Sequence, residues 1–156
     1  MLSKVIKEDY IQLDVEANDF PDAISQALEP LVEDDAATQE YVDAVIKIYQ
    51  ETGPYIVITK NVALPHAPVS EGAKKVAIGF TRLKNAIVSG HECNDPVKYL
   101  FPLSAKDSQS HIELLSELAD LLGDPVFIEF LENVSSKEEF INYLKKYEGA
   151  QKNEKS

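Results

Sequence analysis

Val62-Ala63-Leu64-Pro65-His66-Ala67, followed by Pro68-Val69-Ser70-Glu71-Gly72, is an apolar run that ends on a histidine between two prolines. Pro65 fixes its own φ and pushes Leu64 toward extended geometry. The run therefore predicts a strand that stops at a sheet edge, with His66 held at its lip. A histidine placed this way is rigid and partly exposed. Its unperturbed pKa of roughly 6.5 leaves a neutral, nucleophilic ring nitrogen at cellular pH. That suits covalent catalysis such as phosphoryl acceptance. The plainer reading of a lone histidine is one that packs or caps a turn.

Working outward from this stretch, Tyr55-Ile56-Val57-Ile58-Thr59 is continuous and largely β-branched. It predicts a strand covered on both faces, central in a sheet. Thr52-Gly53-Pro54 before it stops a helix that starts near Thr38, with Tyr41, Val42, Val45, Ile46 and Tyr49 on its apolar face. Earlier still, Ile11, Leu13 and Val15 alternate with polar residues as a short strand. Asn18-Asp19-Phe20-Pro21 then starts a helix that Pro30 kinks or ends. Glu33-Asp34-Asp35 reads as a solvated acidic corner. After His66, Val76–Leu83 predicts another buried strand, Ala86–Val88 a short extended piece, and Val97–Leu103 a further strand. Three helices close the chain. Ser110 with Glu113, and Ser136 with Glu139, each fit a capping box. The first stripe is Ile112, Leu115, Leu118, Ala119 and Leu122. Gly123-Asp124-Pro125 starts the second helix, and Phe140, Ile141, Leu144 and Tyr147 mark the third. Strands between helices on both sides predict one α/β domain over residues 1–148, a three-layer α/β/α sandwich with a mixed central sheet. Residues 149–156 are expected to be a disordered C-terminal tail.

The chain has 156 residues and a formal net charge of −12. That acidity argues against nucleic acid and anionic membrane as partners, and suits a basic protein partner. No apolar run approaches the ~20 residues of a membrane span, and the start Met1-Leu2-Ser3-Lys4 lacks a signal-peptide core. The single cysteine, Cys93, has no internal disulfide partner. Together these features predict a cytoplasmic protein. His91-Glu92-Cys93-Asn94-Asp95 has no second cysteine or HxxH spacing to make a metal site, and reads as a loop with a thiol.

His111 is expected at N1 of the helix after the strand ending near Leu103. If that strand neighbours the one before His66, both histidines reach one sheet edge. Backbone N–H groups around Ser110–Ile112 would then help hold an anion on His66. The opposing reading makes His111 a surface residue, disfavoured there when protonated.

Gly53-Pro54-Tyr55-Ile56-Val57-Ile58, Val62-Ala63-Leu64-Pro65-His66-Ala67 and Ser110-His111-Ile112-Glu113-Leu114-Leu115 with Leu118-Ala119 together resemble the enzyme IIA domains of the bacterial sugar phosphotransferase system. The resemblance is to the mannitol/fructose class, nearest the ascorbate-type branch, over roughly residues 5–147. It implies the mannitol-type enzyme IIA fold and transient phosphorylation of His66. The implied donor is the phosphocarrier protein HPr. The implied acceptor is a cysteine of the cognate enzyme IIB, which serves a membrane enzyme IIC. His111 is implied to support the phosphoryl group. No cofactor or metal is implied, and the resemblance leaves room for a homodimer. Mannitol-type relatives carry an arginine upstream of the active histidine. Here that region reads Tyr49-Gln50-Glu51, which leaves His111, backbone amides or Lys60 to neutralise the phosphate. The alternative function is a regulatory phospho-switch of the nitrogen type. A phosphorylation-dead scaffold like the cytosolic domain of anion exchangers is disfavoured by the retained His66.

Overall fold

A computed structural model describes residues 2–155, with side chains placed for 2–150; Met1 and Ser156 lie outside the described residues. The strands are β1 (Ile11–Val15), β2 (Val57–Thr59), β3 (Val62–Ala63), β4 (Ala77–Ile78), β5 (Phe80–Ile87), β6 (Val97–Leu100) and β7 (Leu103–Ser104). The helices are α1 (Leu2–Val5), α2 (Phe20–Glu33), α3 (Gln39–Thr52), α4 (Ser108–Leu122), α5 (Pro125–Asn133) and α6 (Lys137–Lys155). A five-stranded sheet runs in the order β1-β5-β6-β3-β2, and β4 pairs with β7 in a two-stranded sheet. In the larger sheet β1 is parallel to β5 and β3 to β6, while β5–β6 and β2–β3 are antiparallel. The sheet is mixed, as the sequence predicts.

Its two faces are covered by separate apolar cores. On one, Phe20, Ala23, Ile24, Ala27, Leu28 and Leu31 of α2 pack with Tyr41, Val42 and Val45 of α3. On the other, Phe80 meets Phe101 and Phe140 at ring distances of 5.1 and 4.7 Å, together with leucines of α4 to α6. Burying one such phenylalanine contributes about 1.5–3 kcal/mol. Helices α2, α3, α5 and α6 lie where the capping signals place them. Asp19 accepts from the Asp22 amide, Thr38 from Tyr41, and Asp124 from Val126, and the Ser136 hydroxyl accepts from the Glu139 amide. Gly53 ends α3 at φ 95, a left-handed value that a side chain disfavours.

Several local expectations change. The Tyr55–Thr59 run is not a central strand. Only Val57–Thr59 is strand, at the sheet edge, and Ile58 is 43% exposed. Tyr55 and Ile56 sit in the turn after Pro54. The two-residue turn Lys60-Asn61, with Asn61 at φ 68, folds β2 back on β3, and no described strand pairs with the other edge of β2. The predicted strands Val76–Leu83 and Val97–Leu103 each break in two, at Gly79 and at Phe101-Pro102. There the Gly79 amide donates to the Pro102 carbonyl at 2.8 Å, and a Cβ on Gly79 would lie 2.6 Å from the Tyr10 carbonyl oxygen. The expected Ala86–Val88 piece is the end of β5. Pro30 stays inside α2, which continues to Glu33. The acidic corner is braced by cations: Asp34 accepts from Lys7 at 2.9 Å, Lys75 at 3.3 Å and the Tyr10 hydroxyl, and Asp35 pairs with Lys74 at 2.8 Å. The last helix runs to Lys155, past Gly149 where the tail was expected to start.

Candidate functional site

Because β3 and β6 are parallel neighbours, their carboxyl ends open on the same side of the sheet. Crevices beyond strand carboxyl ends are where open α/β sheets place their ligands. β3 leads into Leu64-Pro65-His66, and β6 leads through β7 into α4 and His111. The two imidazole rings meet edge to face, 5.3 Å between centroids. β2 is antiparallel to β3, so its amino-terminal end lies at the same edge and brings in Tyr55. The Tyr55 and His66 rings are 5.8 Å apart.

The backbone that carries His66 is tied at every residue. The Phe101 amide donates to the Ala63 carbonyl at 2.9 Å, Leu64 donates to Ile56 at 2.8 Å, and Leu103 donates to Pro65 at 3.1 Å. The Tyr55 hydroxyl donates to the His66 carbonyl at 2.5 Å. The Ala67 amide donates to the buried Tyr41 hydroxyl at 3.0 Å, which in turn donates to the Leu103 carbonyl at 2.8 Å. Burial pushes the Tyr41 hydroxyl up to about 12, so it keeps its proton. Replacing Tyr41 by Phe leaves the Ala67 amide and the Leu103 carbonyl without this partner. An unfulfilled buried polar group costs about 1–3 kcal/mol. Thermal unfolding of Tyr41→Phe should show a loss of that order, and an unchanged midpoint would contradict the anchoring role.

His66 Nδ1 lies 2.5 Å from the Leu64 carbonyl oxygen. A carbonyl only accepts, so Nδ1 carries the proton and the lone pair of the neutral ring is on Nε2. Burial is the main force lowering the His66 pKa, and the nearby His111 acts in the same direction, while the Leu64 carbonyl opposes them. The ring therefore stays neutral, and nucleophilic, to lower pH than a free histidine. The His66 ring-proton shift should titrate with a midpoint below the free value of roughly 6.5. The unfolded chain binds this proton first as pH falls. The associated stability is present above that free value and is lost as pH falls through the folded midpoint. A midpoint at or above the free value would contradict the site's electrostatics.

Other expectations at the site are corrected. The N-cap of α4 is Asp107, whose carboxylate accepts from the Ser110 amide and hydroxyl, each at 2.8 Å. His111 is thus the fourth residue of the helix rather than the first, and its amide donates to the Asp107 carbonyl at 3.2 Å. The amides around Ser110–Ile112 are committed to the helix and its cap, so they do not offer the expected anion cradle. Lys60 lies in the β2–β3 turn, at the opposite end of β3 from His66. The only arginine in the sequence, Arg82, is buried with Asp14 and the carbonyls of Leu131, Glu132 and Val134 at the end of α5. Neither supplies charge here. The α4 core stripe is Leu114, Leu118 and Leu121, leaving Ile112 62% exposed beside His111. Leu64 and Ala67 are buried, and the exposed apolar rim of the site is Tyr55, Pro68 and Ile112. Away from this edge, His91 Nδ1 accepts from the Cys93 and Asn94 amides and organises its own loop.

The geometry is that of a fixed, proline-preceded histidine with a free Nε2, a second imidazole beside it and an exposed rim. The family described as "Phosphoenolpyruvate-dependent sugar phosphotransferase system, EIIA 2" matches residues 4–147, and the chain belongs to it. Members of this family are phosphotransferases, the EIIA components of sugar phosphotransferase systems. An "Ascorbate-specific PTS system EIIA component" from Salmonella typhimurium is 30% identical over 135 residues, covering 86% of this chain and 88% of the relative. The solution structure of the mannitol-specific cryptic enzyme IIA CmtB from Escherichia coli superposes with a TM-score of 0.82 at 30% identity, covering 90% and 95% of the two chains. Enzyme IIA mannitol from Escherichia coli, solved in complex with phosphorylated enzyme IIB mannitol, gives a TM-score of 0.78 at 25% identity, covering 90% and 99%. These likenesses agree with the α/β sandwich. No described helix is long and apolar enough to cross a membrane.

Proposed function

We propose that this protein accepts a phosphoryl group from phosphorylated HPr on His66 Nε2 and passes it to a cysteine of a cognate enzyme IIB, in the cytoplasm, for an ascorbate-type sugar transported by a membrane enzyme IIC. The observation that carries the reading is the His66 Nδ1 contact to the Leu64 carbonyl, which leaves Nε2 as the free nucleophile at the rim. In the first half-reaction the Nε2 lone pair forms a bond to phosphorus. The bond from phosphorus to the carrier's imidazole nitrogen breaks, and its electron pair stays on the carrier. Positive charge develops on the His66 ring as that bond forms, and the Leu64 carbonyl is already aimed at the Nδ1 proton that shares it. His111 stands beside the ring and supports the phosphoryl oxygens. In the second half-reaction a partner thiolate takes the group, and the pair returns to Nε2. Protein-to-protein transfer needs in-line approach with water excluded, which an exposed apolar rim permits.

The test is reconstitution with phosphoenolpyruvate, enzyme I and HPr, followed by a panel of enzyme IIB proteins. Phosphoryl should reach an ascorbate-type enzyme IIB in preference to a mannitol-type one. Labelling of His66 with transfer to no enzyme IIB would favour a regulatory phospho-switch instead.

A further inference from the structure

The residues from Ala63 to Ala67 are held by Phe101, Ile56, Leu103, Tyr41 and Tyr55. The first four are buried, and Tyr55 is 37% exposed. Among the described residues it is therefore the one restraint on the His66 backbone that a docking protein can touch. Its ring is also one of two edge-on neighbours of the imidazole, at 5.8 Å and 62°, the other being His111. Its hydroxyl donates to the carbonyl of His66 itself, at 2.5 Å. Burial of the ring pushes that hydroxyl up to about 12, so the oxygen keeps the proton it donates.

We propose that Tyr55 is a positioning residue for phosphoryl transfer, acting through its hydrogen bond to the His66 carbonyl. This rests on the reading of His66 as the phosphoryl acceptor. The His66 carbonyl, Cα and ring are linked through few rotatable bonds. Fixing the carbonyl therefore narrows the directions in which Nε2 points. Displacement at phosphorus depends on that direction, and small misplacements of a reacting group cost rate. The benefit appears inside the complex, after binding. Removing the hydroxyl should lower the transfer rate at saturating carrier and leave the carrier concentration for half-maximal rate unchanged.

The experiment is single-turnover transfer from phosphorylated HPr to the full chain, comparing wild type, Tyr55→Phe and Tyr55→Leu. Tyr55→Phe keeps the ring and its contact with His66, and removes only the oxygen. Its saturating rate should fall roughly 3–10-fold, the rate equivalent of one ordinary hydrogen bond. Its half-saturating carrier concentration and thermal midpoint should match wild type. Tyr55→Leu, which also removes the rim contact, should raise the half-saturating concentration as well. A Tyr55→Phe protein with wild-type rate at saturation would overturn the inference. So would a loss of rate accompanied by a lowered thermal midpoint, which would make Tyr55 a structural residue only. If the wild type itself is not phosphorylated, the proposed function fails and this inference falls with it. If the wild type is phosphorylated and Tyr55→Phe is unimpaired, this inference alone fails.

Discussion

His66→Ala should abolish phosphoryl labelling by phosphorylated HPr, with no residual label at another histidine. The side chain is half-buried and makes one hydrogen bond, to the Leu64 carbonyl within its own segment. The neighbouring ties of the segment run through the backbone and through Tyr41 and Tyr55. Truncation at Cβ therefore leaves the fold in place, and loss of label reports loss of the nucleophile. Neither remaining histidine is set up to replace it. His91 Nδ1 is occupied by the Cys93 and Asn94 amides in a separate loop. His111 sits in the first turns of α4, where the positive end of the helix dipole opposes the cationic ring formed on phosphorylation. Acid-labile, base-stable label on His66→Ala at wild-type level would remove the assignment.

His111→Ala should slow transfer roughly 10²–10⁴-fold, the range for losing a positioned proton-donating or proton-accepting group, with label still found on His66. The magnitude is large because few other groups at the site can donate to a phosphoryl oxygen. The only arginine is buried elsewhere, Lys60 is at the wrong end of β3, and the Ser110–Ile112 amides are already used. The imidazole at 5.3 Å is the closest ring able to donate to a phosphoryl oxygen on His66. His111→Gln, which keeps a donor, should recover part of the rate. Rates for His111→Ala within twofold of wild type, measured by quenched flow, would show that the ring is a bystander.

What the sequence could tell differed from element to element, for physical reasons. The strand before His66 was legible because Pro65 restricts geometry locally, whatever the tertiary surroundings. The meeting of the two histidines was legible as a conditional: it required β3 and β6 to be neighbours, and they are. The start of α4 was displaced by three residues because both Asp107 and Ser110 are good capping residues. The structure chose Asp107, which accepts from both the amide and the hydroxyl of Ser110. The edge position of β2 was hidden because Tyr55–Thr59 is apolar whether one face is covered or two. The sequence shows Tyr41 only on the apolar face of a helix and Tyr55 only within an apolar run. Their hydroxyls act on residues 26 and 11 positions away, and nothing in local periodicity reports such contacts. The break at Gly79 likewise depends on the approach of Tyr10 and Pro102 from distant parts of the chain.

The most direct test of the account is long-range ¹H–¹⁵N nuclear magnetic resonance of histidine-labelled protein before and after phosphorylation by the HPr relay. Before phosphorylation, His66 should show a protonated Nδ1 and a lone-pair nitrogen at Nε2. Afterwards, the phosphorus coupling should appear on His66 Nε2, with the signals of His91 unmoved and His111 shifted but not coupled to phosphorus. Coupling to His66 Nδ1, or to either other histidine, would contradict the mechanism derived from this site.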